Sequence, residues 1–187
     1  MRVVGGQFRG RALAAPPSNA TRPTSDRVRE AVFNILVHGS GSVPMEGVRV
    51  LDLFAGTGAM GVEALSRGAG FCMFVEDDAA ARGSIRENVE ALGLTGITKI
   101  FRRDASDLGN AGKHAGFSLL FADPPYDTGL AAKALASAAA GGWLTADATV
   151  IVEERAGVAV SLPASFQQWD VRTWGDTQVV FARYRAA

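Results

Sequence analysis

The chain has 187 residues, 19 basic and 19 acidic side chains and a formal net charge of zero. This length corresponds to one domain, which needs no disulfide or metal to stabilise its core. A hydrophobic content of 48% with 20% charged residues excludes a disordered chain, and no apolar run approaches the roughly 20 residues of a membrane helix. The single cysteine, Cys72, excludes an internal disulfide and a multi-cysteine zinc site. We therefore expect a cytoplasmic protein without metal or membrane contact, and by default a monomer.

The charges are unevenly distributed along the chain. Residues 1–37 carry six arginines and no lysine against Asp26 and Glu30, a net charge of +4, and the remaining residues carry −4. A guanidinium group binds phosphate through two parallel hydrogen bonds and stacks on bases. The segment is therefore either an ordinary solvated face or a surface for a polyanion. The second interpretation predicts RNA binding through Arg2, Arg9, Arg11, Arg22, Arg27 and Arg29.

The amino-terminal part is predicted to contain one extended segment and one helix. Residues 2–14 alternate loosely and contain three glycines, which favours a short hairpin or an extended arm. Apolar positions at helical spacing predict a helix from Asp26 to Val37, capped by Thr24 or Ser25. Residues 38–47 are rich in Gly and Ser and are typical of a linker. We accordingly expect a basic, RNA-facing arm and helix at residues 1–40 and a catalytic domain at residues 41–187.

Strands and helices alternate beyond the linker. Two strands near 168–173 and 178–184 lie close enough around Gly175 and Asp176 to form an antiparallel hairpin. Apolar strands separated by helices belong in a parallel sheet that is covered on both faces. The pattern predicts a doubly wound α/β domain with helices ending at Arg67 and spanning 79–92 and 130–140, and with further strands at 48–54, 71–76, 98–103, 117–123 and 149–154.

A glycine-rich motif follows the first predicted strand. Gly56, Gly58 and Gly61 form the pattern G-x-G-x-x-G at the start of a helix. Such glycines permit a tight turn and a close approach of the backbone to a ligand, while the helix N-terminus offers free N–H groups. Glu76 ends the next strand twenty residues after Gly56, where a carboxylate accepts hydrogen bonds from ribose hydroxyls. The arrangement indicates a ligand that contains a nucleoside.

Asp52 helps to decide which nucleoside ligand fits. It stands four residues before Gly56, at the carboxyl end of the strand, where its charge would repel the pyrophosphate of a dinucleotide. A carboxylate suits a ligand with an ammonium group, and S-adenosylmethionine carries an ammonium, a sulfonium, a ribose and an adenine. The alternative role for Asp52 is to cap the helix or stabilise the turn.

A second motif, Asp-Pro-Pro-Tyr, follows the strand at 117–123. Ligands bind at this carboxyl edge in such folds, and two prolines make a stiff loop. An exocyclic amine is a weak nucleophile, and the Asp123 carboxylate with the Pro124 carbonyl can accept hydrogen bonds from its two N–H groups and offset the charge that grows on nitrogen. Tyr126 offers a face on which a base stacks. Unless the segment is only a proline-rich turn, the predicted catalytic residues are Asp123, Pro124, Pro125 and Tyr126, and no metal is required.

Together these motifs resemble a known family. The segments DLFAGTGAMG, FVEDD, RRDA and DPPY are similar to the ordered motifs of class I, S-adenosylmethionine-dependent amino methyltransferases. The segment VVGGQFRGRAL and the later TRPTSDRVREAVFNIL resemble the opening of the bacterial 16S ribosomal RNA guanine-N2 methyltransferase family, and the likeness covers roughly residues 1–154. The resemblance implies a seven-stranded, mostly parallel, Rossmann-like sheet with a reversed last strand. It also implies methyl transfer to the N2 of one guanine in 16S ribosomal RNA or the assembling small subunit.

The resemblance further implies which residues contact the cofactor and the RNA. Residues 52–58 would line the methionine part of S-adenosylmethionine, Glu76 the ribose, and Asp104 with Ala105 the adenine. Arg22, Thr24, Asp26 and Arg29 would lie by the cofactor or the RNA. The predicted cofactor-binding residues are Asp52, Phe54, Ala55, Gly56, Thr57, Gly58, Glu76, Asp77, Asp104 and Ala105.

Four other functions are compatible with parts of the sequence. A DNA adenine-N6 or cytosine-N4 methyltransferase uses the same tetrapeptide, but we expect no additional target-recognition domain in this chain. Release-factor glutamine methyltransferases usually have Asn where this chain has Asp123. An NAD-dependent oxidoreductase shares the glycine pattern but leaves Asp52 and the tetrapeptide unexplained. A module that only binds RNA needs neither motif.

Overall fold

The computed structural model describes residues 1–16 and 24–186, and within these ranges four α-helices and seven strands are present. The helices are α1 Asp26–His38, α2 Ala59–Ser66, α3 Ala79–Ala91 and α4 Leu130–Ala140. The strands are β1 Arg49–Leu53, β2 Phe71–Val75, β3 Thr98–Phe101, β4 Phe117–Ala122, β5 Leu144–Arg155, β6 Phe166–Trp174 and β7 Thr177–Tyr184. All of these elements overlap the elements predicted from the sequence.

The strands form one sheet in the order β3-β2-β1-β4-β5-β7-β6. The first five strands of this order run parallel, whereas β7 runs antiparallel to both β5 and β6. The turn between β6 and β7 holds Gly175 at a φ of 58°, which glycine adopts without strain. The predicted α/β fold with a seven-stranded sheet and a reversed last strand is confirmed.

Side chains that alternate along each strand divide the core between the two faces of the sheet. On β1, Val50 packs in the cluster that contains the buried side chains of α1, α2 and α3. Its neighbours Leu51 and Leu53 pack in the opposite cluster with α4. This two-residue period is the expected behaviour of strands buried on both sides. Helices therefore cover both faces, as the doubly wound pattern predicted.

The amino-terminal arm packs against the same core as the sheet. Arg2 and Ala12 form an antiparallel bridge, which is the short hairpin that the sequence indicated. Val3 and Leu13 are buried in the cluster shared with α1, α2 and α3. The arm is also attached by a hydrogen bond from the Gln7 N–H to the Ser66 carbonyl of 2.8 Å. The arm is thus fixed in place by apolar burial and backbone hydrogen bonds.

Strand β5 begins five residues earlier than the sequence predicted. Its pairing with β4 shifts register between Phe117 and Leu119, and Asp147 adopts a φ of 60°. These irregular residues precede the regular, apolar part of the strand at 149–154. The apolar pattern identified only the regular part because residues 144–148 alternate poorly.

Candidate active site

The glycine motif forms the turn between β1 and α2. Gly56 and Gly58 have φ values of 57° and 77°, and Gly58 is the N-cap of α2. A Cβ atom on Gly61 would lie 2.4 Å from Phe74 Cε1 and 2.5 Å from Cys72 Sγ, so α2 packs directly on β2 only because this residue is glycine. The three glycines therefore serve the turn and the helix–strand contact that a nucleoside site of this type requires.

Asp52 lies beneath the glycine turn rather than at its surface. The carboxyl group is buried and accepts a hydrogen bond of 3.0 Å from the Gly61 N–H. Burial, and to a lesser extent the nearby Glu76 carboxyl, raise the pKa of Asp52 to about 8, against the lowering effect of the Gly61 bond. The structure shows the turn-stabilising contact that the sequence left as the alternative, and a role for Asp52 towards an ammonium group stays a prediction.

Glu76 connects the end of β2 to the glycine turn. Its carboxylate accepts hydrogen bonds from the Gly56 N–H at 2.8 Å and from the Asp78 N–H at 2.9 Å. Burial raises the pKa of Glu76, although these two N–H groups act in the opposite direction. Each carboxylate oxygen retains a second lone pair, so Glu76 can still accept a hydrogen bond from a ribose hydroxyl.

The remaining predicted cofactor residues line the carboxyl ends of β1, β2 and β3. Phe54 adopts a φ of 56° in the turn after β1. Asp77 is exposed beside Glu76. Asp104 is exposed after β3, and hydrogen bonds from the side chain and backbone of Ser106 lower its pKa. Ala55 and Gly56 are partly buried in the same turn, whereas the buried residues of the set include Thr57, Gly58 and Ala105.

The tetrapeptide follows β4, next to the glycine turn. Leu53 pairs with Ala122 across β1 and β4, so the loops that leave these two strands are neighbours at one edge of the sheet. Asp123 is partly buried and Pro124 is buried, whereas Pro125 is exposed. The structure thus brings the two motifs together, although Asp123 lies 62 positions after Gly61 in the sequence.

Tyr126 is held through its hydroxyl group. The hydroxyl donates to Glu153 Oε1 at 2.7 Å and contacts Thr177 Oγ1 at 3.0 Å. Burial of the half-exposed ring raises the pKa of Tyr126 above its usual value, so that it stays a hydrogen-bond donor. The Arg155 guanidinium lies 5.8 Å from the ring centroid. The ring position is therefore set by β5 and β7 as well as by the tetrapeptide itself.

Thr24, which precedes α1, links Asp123 to Glu153. Its hydroxyl lies 3.2 Å from Asp123 Oδ2 and 2.6 Å from Glu153 Oε2. Burial and the nearby Glu153 carboxyl raise the pKa of Asp123 well above its usual range. A cavity of about 10 Å³, room for about one water molecule, lies beside these side chains and is also lined by Val32, Met60, Phe121, Ile151 and Val179.

Sequence reasoning did not identify Glu153 or Thr177. The available signal was the pair of glutamates that ends the apolar strand TVIV, since a carboxylate at the carboxyl edge of a central strand is a candidate site residue. Thr177 carries no comparable signal because it lies in a hairpin strand. The contacts of both residues depend on how β7 is inserted beside β5.

The prediction that Arg29 binds RNA is wrong. Arg29 is completely buried, where its guanidinium forms ion pairs with Asp26 at 2.9 Å and Glu63 at 3.5 Å and also donates to the Arg2 carbonyl. It anchors α1 and the arm to α2, and its charge is directed to these acids rather than offered to phosphate. The sequence did not show that Arg29 lies on the side of α1 that packs against α2.

The other arginines of the segment fall into two groups. Four are exposed in the structure, namely Arg2, Arg9, Arg11 and Arg27. The Arg2 side chain donates to the Gly10 carbonyl at 2.9 Å and the Arg11 side chain to the Ala91 carbonyl at 3.3 Å, and these contacts leave other N–H groups of both guanidinium groups available. Arg22 lies outside the described residues.

The described part of the chain contains neither a membrane-spanning helix nor a cluster of metal ligands. No helix at residues 1–16 or 24–186 is both long and apolar enough to cross a membrane. Within the same two ranges, no group of three or more His, Cys, Asp or Glu side chains is arranged to hold a metal ion.

Comparison with known proteins identified relatives along nearly the whole chain. The family described as "Conserved hypothetical protein 95" matches residues 1–183. The chain is 35% identical to "Ribosomal RNA small subunit methyltransferase D" of Escherichia coli over 171 residues, 91% of this chain and 82% of that protein. It is 41% identical to "Putative rRNA methyltransferase YlbH" of Bacillus subtilis over 128 residues, 67% of either protein. The solved structure "Putative methyltransferase yhhF from Escherichia coli" superposes with a TM-score of 0.84 and 30% identity, over 100% of this chain and 99% of that one.

Proposed function

The chain belongs to the family described as Conserved hypothetical protein 95, and on that premise we propose that it transfers a methyl group from S-adenosylmethionine to the exocyclic N2 amine of a guanine in 16S ribosomal RNA. The likeness to two proteins named as rRNA methyltransferases supports ribosomal RNA as the substrate class. The choice of guanine N2 depends on the sequence resemblance and on the chemistry of the tetrapeptide.

One observation carries the proposal. The glycine turn and the Asp-Pro-Pro-Tyr loop leave paired parallel strands, with Leu53 opposite Ala122. A ligand bound on the glycine turn therefore lies next to the hydrogen-bond acceptors Asp123 and Pro124. A dehydrogenase needs no such acceptors beside its nucleotide, whereas transfer of a group to an amine does.

The residues at the carboxyl edge fit S-adenosylmethionine. Glu76 is fixed by two backbone N–H groups and offers acceptor lone pairs to ribose hydroxyls. The glycine turn brings backbone close to the ligand, and Asp104 and Ala105 follow β3 near the expected place of the adenine. When bound, the cofactor supplies an electrophilic methyl group on a sulfonium.

The tetrapeptide compensates for the poor nucleophilicity of an amine attached to an aromatic ring. An ionised Asp123 and the Pro124 carbonyl can accept both N–H hydrogens of the amine, which offsets the positive charge that develops on nitrogen. The two prolines and the Tyr126 hydroxyl bonds keep this corner rigid, so that the acceptors need no reorganisation. The exposed part of the Tyr126 ring is a candidate surface for the target base.

The arm supplies a surface for the RNA backbone. Arg2, Arg9, Arg11 and Arg27 are exposed, and guanidinium groups bind phosphate strongly. Since these contacts do not read sequence, we expect the site near Tyr126 to contribute to the choice of nucleotide. We propose 16S ribosomal RNA or the assembling small subunit as the partner.

Methyl mapping tests the proposal. Small subunits and bare 16S RNA from bacterial cells that lack this enzyme are incubated with the protein and S-adenosylmethionine labelled in the methyl group, and the modified nucleoside is identified by mass spectrometry. We expect one N2-methylguanosine per RNA. Label on adenine N6 or cytosine N4 contradicts the guanine assignment, and the comparison of subunits with bare RNA identifies the preferred substrate.

A further inference from the structure

Asp123 and Glu153 form a pair of neighbouring carboxyl groups. The predicted role of the tetrapeptide requires only Asp123, so the second carboxyl group needs its own explanation. Thr24 Oγ1 lies between them, 2.6 Å from Glu153 Oε2 and 3.2 Å from Asp123 Oδ2. A hydroxyl group has one hydrogen and can donate it to only one partner. If both carboxyl groups were ionised, one of these contacts would join two acceptors in a buried place. The geometry therefore calls for one additional proton.

The distances indicate where that proton is held. Glu153 accepts the short contact from Thr24 and a further contact of 2.7 Å from the Tyr126 hydroxyl, and such lengths are typical of hydroxyl donors to an ionised carboxylate. Asp123 has the longer contact to Thr24. A proton on Asp123 lets it donate to Thr24, which then donates to Glu153, so every contact in the chain has a donor and an acceptor.

We propose that Asp123, Thr24 and Glu153 share one proton in the resting protein, and that Asp123 is the member that releases it when a cation is bound next to it. The proton passes to solvent, and the ionised Asp123 becomes the acceptor that an amine substrate needs. Methylation of an amine leaves one proton to be removed from nitrogen, and Asp123 can take this proton and return the triad to its resting state. This inference rests on the proposed function, because that function supplies the cation.

The electrostatic surroundings agree with this assignment. Burial and the neighbouring Glu153 both favour the protonated form of Asp123 and raise its pKa, with smaller contributions from Asp52 and Glu154, against the Thr24 hydrogen bond. Two cations that the described residues place near the triad have acidic partners of their own. Arg29, which donates to the Thr24 carbonyl at 3.4 Å, pairs with Asp26 and Glu63, and Arg155 beside Tyr126 pairs with Asp127.

The first test needs no ligand. In protein labelled with ¹³C at the carboxyl carbons of Asp and Glu, the Asp123 signal, assigned with Asp123→Asn, is followed as a function of pH. We expect it to titrate well above the usual range of an aspartate, and Glu153→Gln to lower its midpoint by at least about one pH unit because a negative neighbour is removed. Titration of wild-type Asp123 in the usual range would overturn the shared proton whether or not the protein methylates RNA.

The second test counts protons on ligand binding. Calorimetric titration with S-adenosylmethionine is performed near pH 7 in two buffers of different ionisation enthalpy. We expect release of up to about one proton per binding event, and much less with S-adenosylhomocysteine, which lacks the sulfonium charge. Tight binding without proton release contradicts the triad and leaves the proposed function intact, whereas absence of binding contradicts the proposed function.

Variants separate the triad from a purely structural effect. Thr24→Val removes the bridging hydroxyl and should reduce the release, while Thr24→Ser should restore it. Glu153→Gln should reduce the release, because the lower pKa of Asp123 leaves more of it ionised before the ligand binds. Glu154→Gln is the matched control on the same strand, since Glu154 accepts from the backbone N–H groups of Asp127 and Arg155 instead. Equal loss in Glu154→Gln and Glu153→Gln would show a general effect of charge and refute the role of the bridge.

Discussion

The two sides of the carboxyl edge hold their buried and partly buried carboxyl groups in different ways. On the glycine side, Asp52 and Glu76 accept hydrogen bonds from backbone N–H groups. On the tetrapeptide side, Asp123 and Glu153 contact the side-chain hydroxyls of Thr24 and Tyr126. Both sides therefore contain satisfied polar groups, but only the second contains partners that can act as donor or acceptor.

If the proposed function holds, this difference separates a cofactor-binding half, on the glycine side, from a chemical half, on the tetrapeptide side. A backbone N–H can only donate, so it fixes the position of a carboxylate and the shape of the turn around it. A hydroxyl can exchange donor and acceptor roles, so its carboxyl partners can gain or lose a proton without a change of backbone. The glycine side is suited to hold a cofactor, and the tetrapeptide side to follow a change of charge at the reacting nitrogen.

The largest effect is expected for Asp123→Ala. Turnover should fall by about 10²–10³-fold, as for removal of one group that stabilises developing charge, whereas the Kd of S-adenosylmethionine should rise much less. Single-turnover methyl transfer and calorimetric titration measure the two quantities. Asp147→Asn is the control, because Asp147 is exposed near the start of β5, away from the carboxyl edge, and Asn tolerates its φ of 60°. Parallel losses of affinity and turnover would place Asp123 in the binding half.

Glu76→Gln should have the opposite pattern of effects, with a loss of cofactor affinity and little change in turnover. Loss of a charged acceptor costs about 1.5–3 kcal/mol per hydrogen bond, so the Kd of S-adenosylmethionine should rise about tenfold to a hundredfold. Turnover at saturating cofactor should stay near that of the wild type. Glu87→Gln, on the exposed side of α3, should change neither value. A fall in turnover at saturation with unchanged affinity would contradict the comparison of the two halves.

Gly61→Ala tests the packing beneath the glycine turn. The added Cβ would meet Phe74 and Cys72 at 2.4 Å and 2.5 Å, so the free energy of unfolding should fall by about 1–3 kcal/mol through overpacking. Gly83→Ala in α3 is the matched control, because a Cβ added there would have no atom within 4 Å, and it should be neutral or stabilising by up to about 1 kcal/mol. Urea unfolding measures both. Equal stability of the two variants would show that α2 does not need this close contact.

The smallest effects are expected for the arm, which lies outside both halves. Replacing Arg9 and Arg11 with Gln should weaken RNA binding and reduce the slope of log K against log salt by about 0.7–0.9 per lost phosphate contact. Arg172 and Arg185, exposed residues paired with Asp170 and Asp147, provide a double variant of equal charge change. The same slope for the arm variant and the wild type would place Arg9 and Arg11 away from RNA.

Most of the fold could be predicted from the sequence because most helices, strands and turns follow from local residue patterns. The apolar runs, the Gly175-Asp176 turn and the glycine motif each specify a local structure, and together they predicted the α/β sheet and its antiparallel hairpin. The reversed last strand was implied by the family resemblance. The start of β5 was missed because residues 144–148 contain a register shift and a left-handed Asp147. Such irregularity depends on the neighbouring strand and not on the local pattern.

The candidate site was predictable where it follows one strand and hidden where it joins several elements. The residues of the glycine turn and the tetrapeptide carry local signals. The Glu153 contacts join β5, the segment before α1 and the tetrapeptide, which are far apart in the chain. The sequence shows that Arg29 is charged, but its burial against Glu63 depends on how α1 packs on α2.

A crystal structure of the protein with S-adenosylmethionine is the most direct examination of the methyl-transfer site. The proposal predicts that the ribose lies at Glu76 and that the methyl carbon faces the space beside the Asp123 carboxyl group and the Pro124 carbonyl. A cofactor whose methyl group points away from both acceptors, with Asp123 beyond reach of any amine that could attack it, would contradict the account.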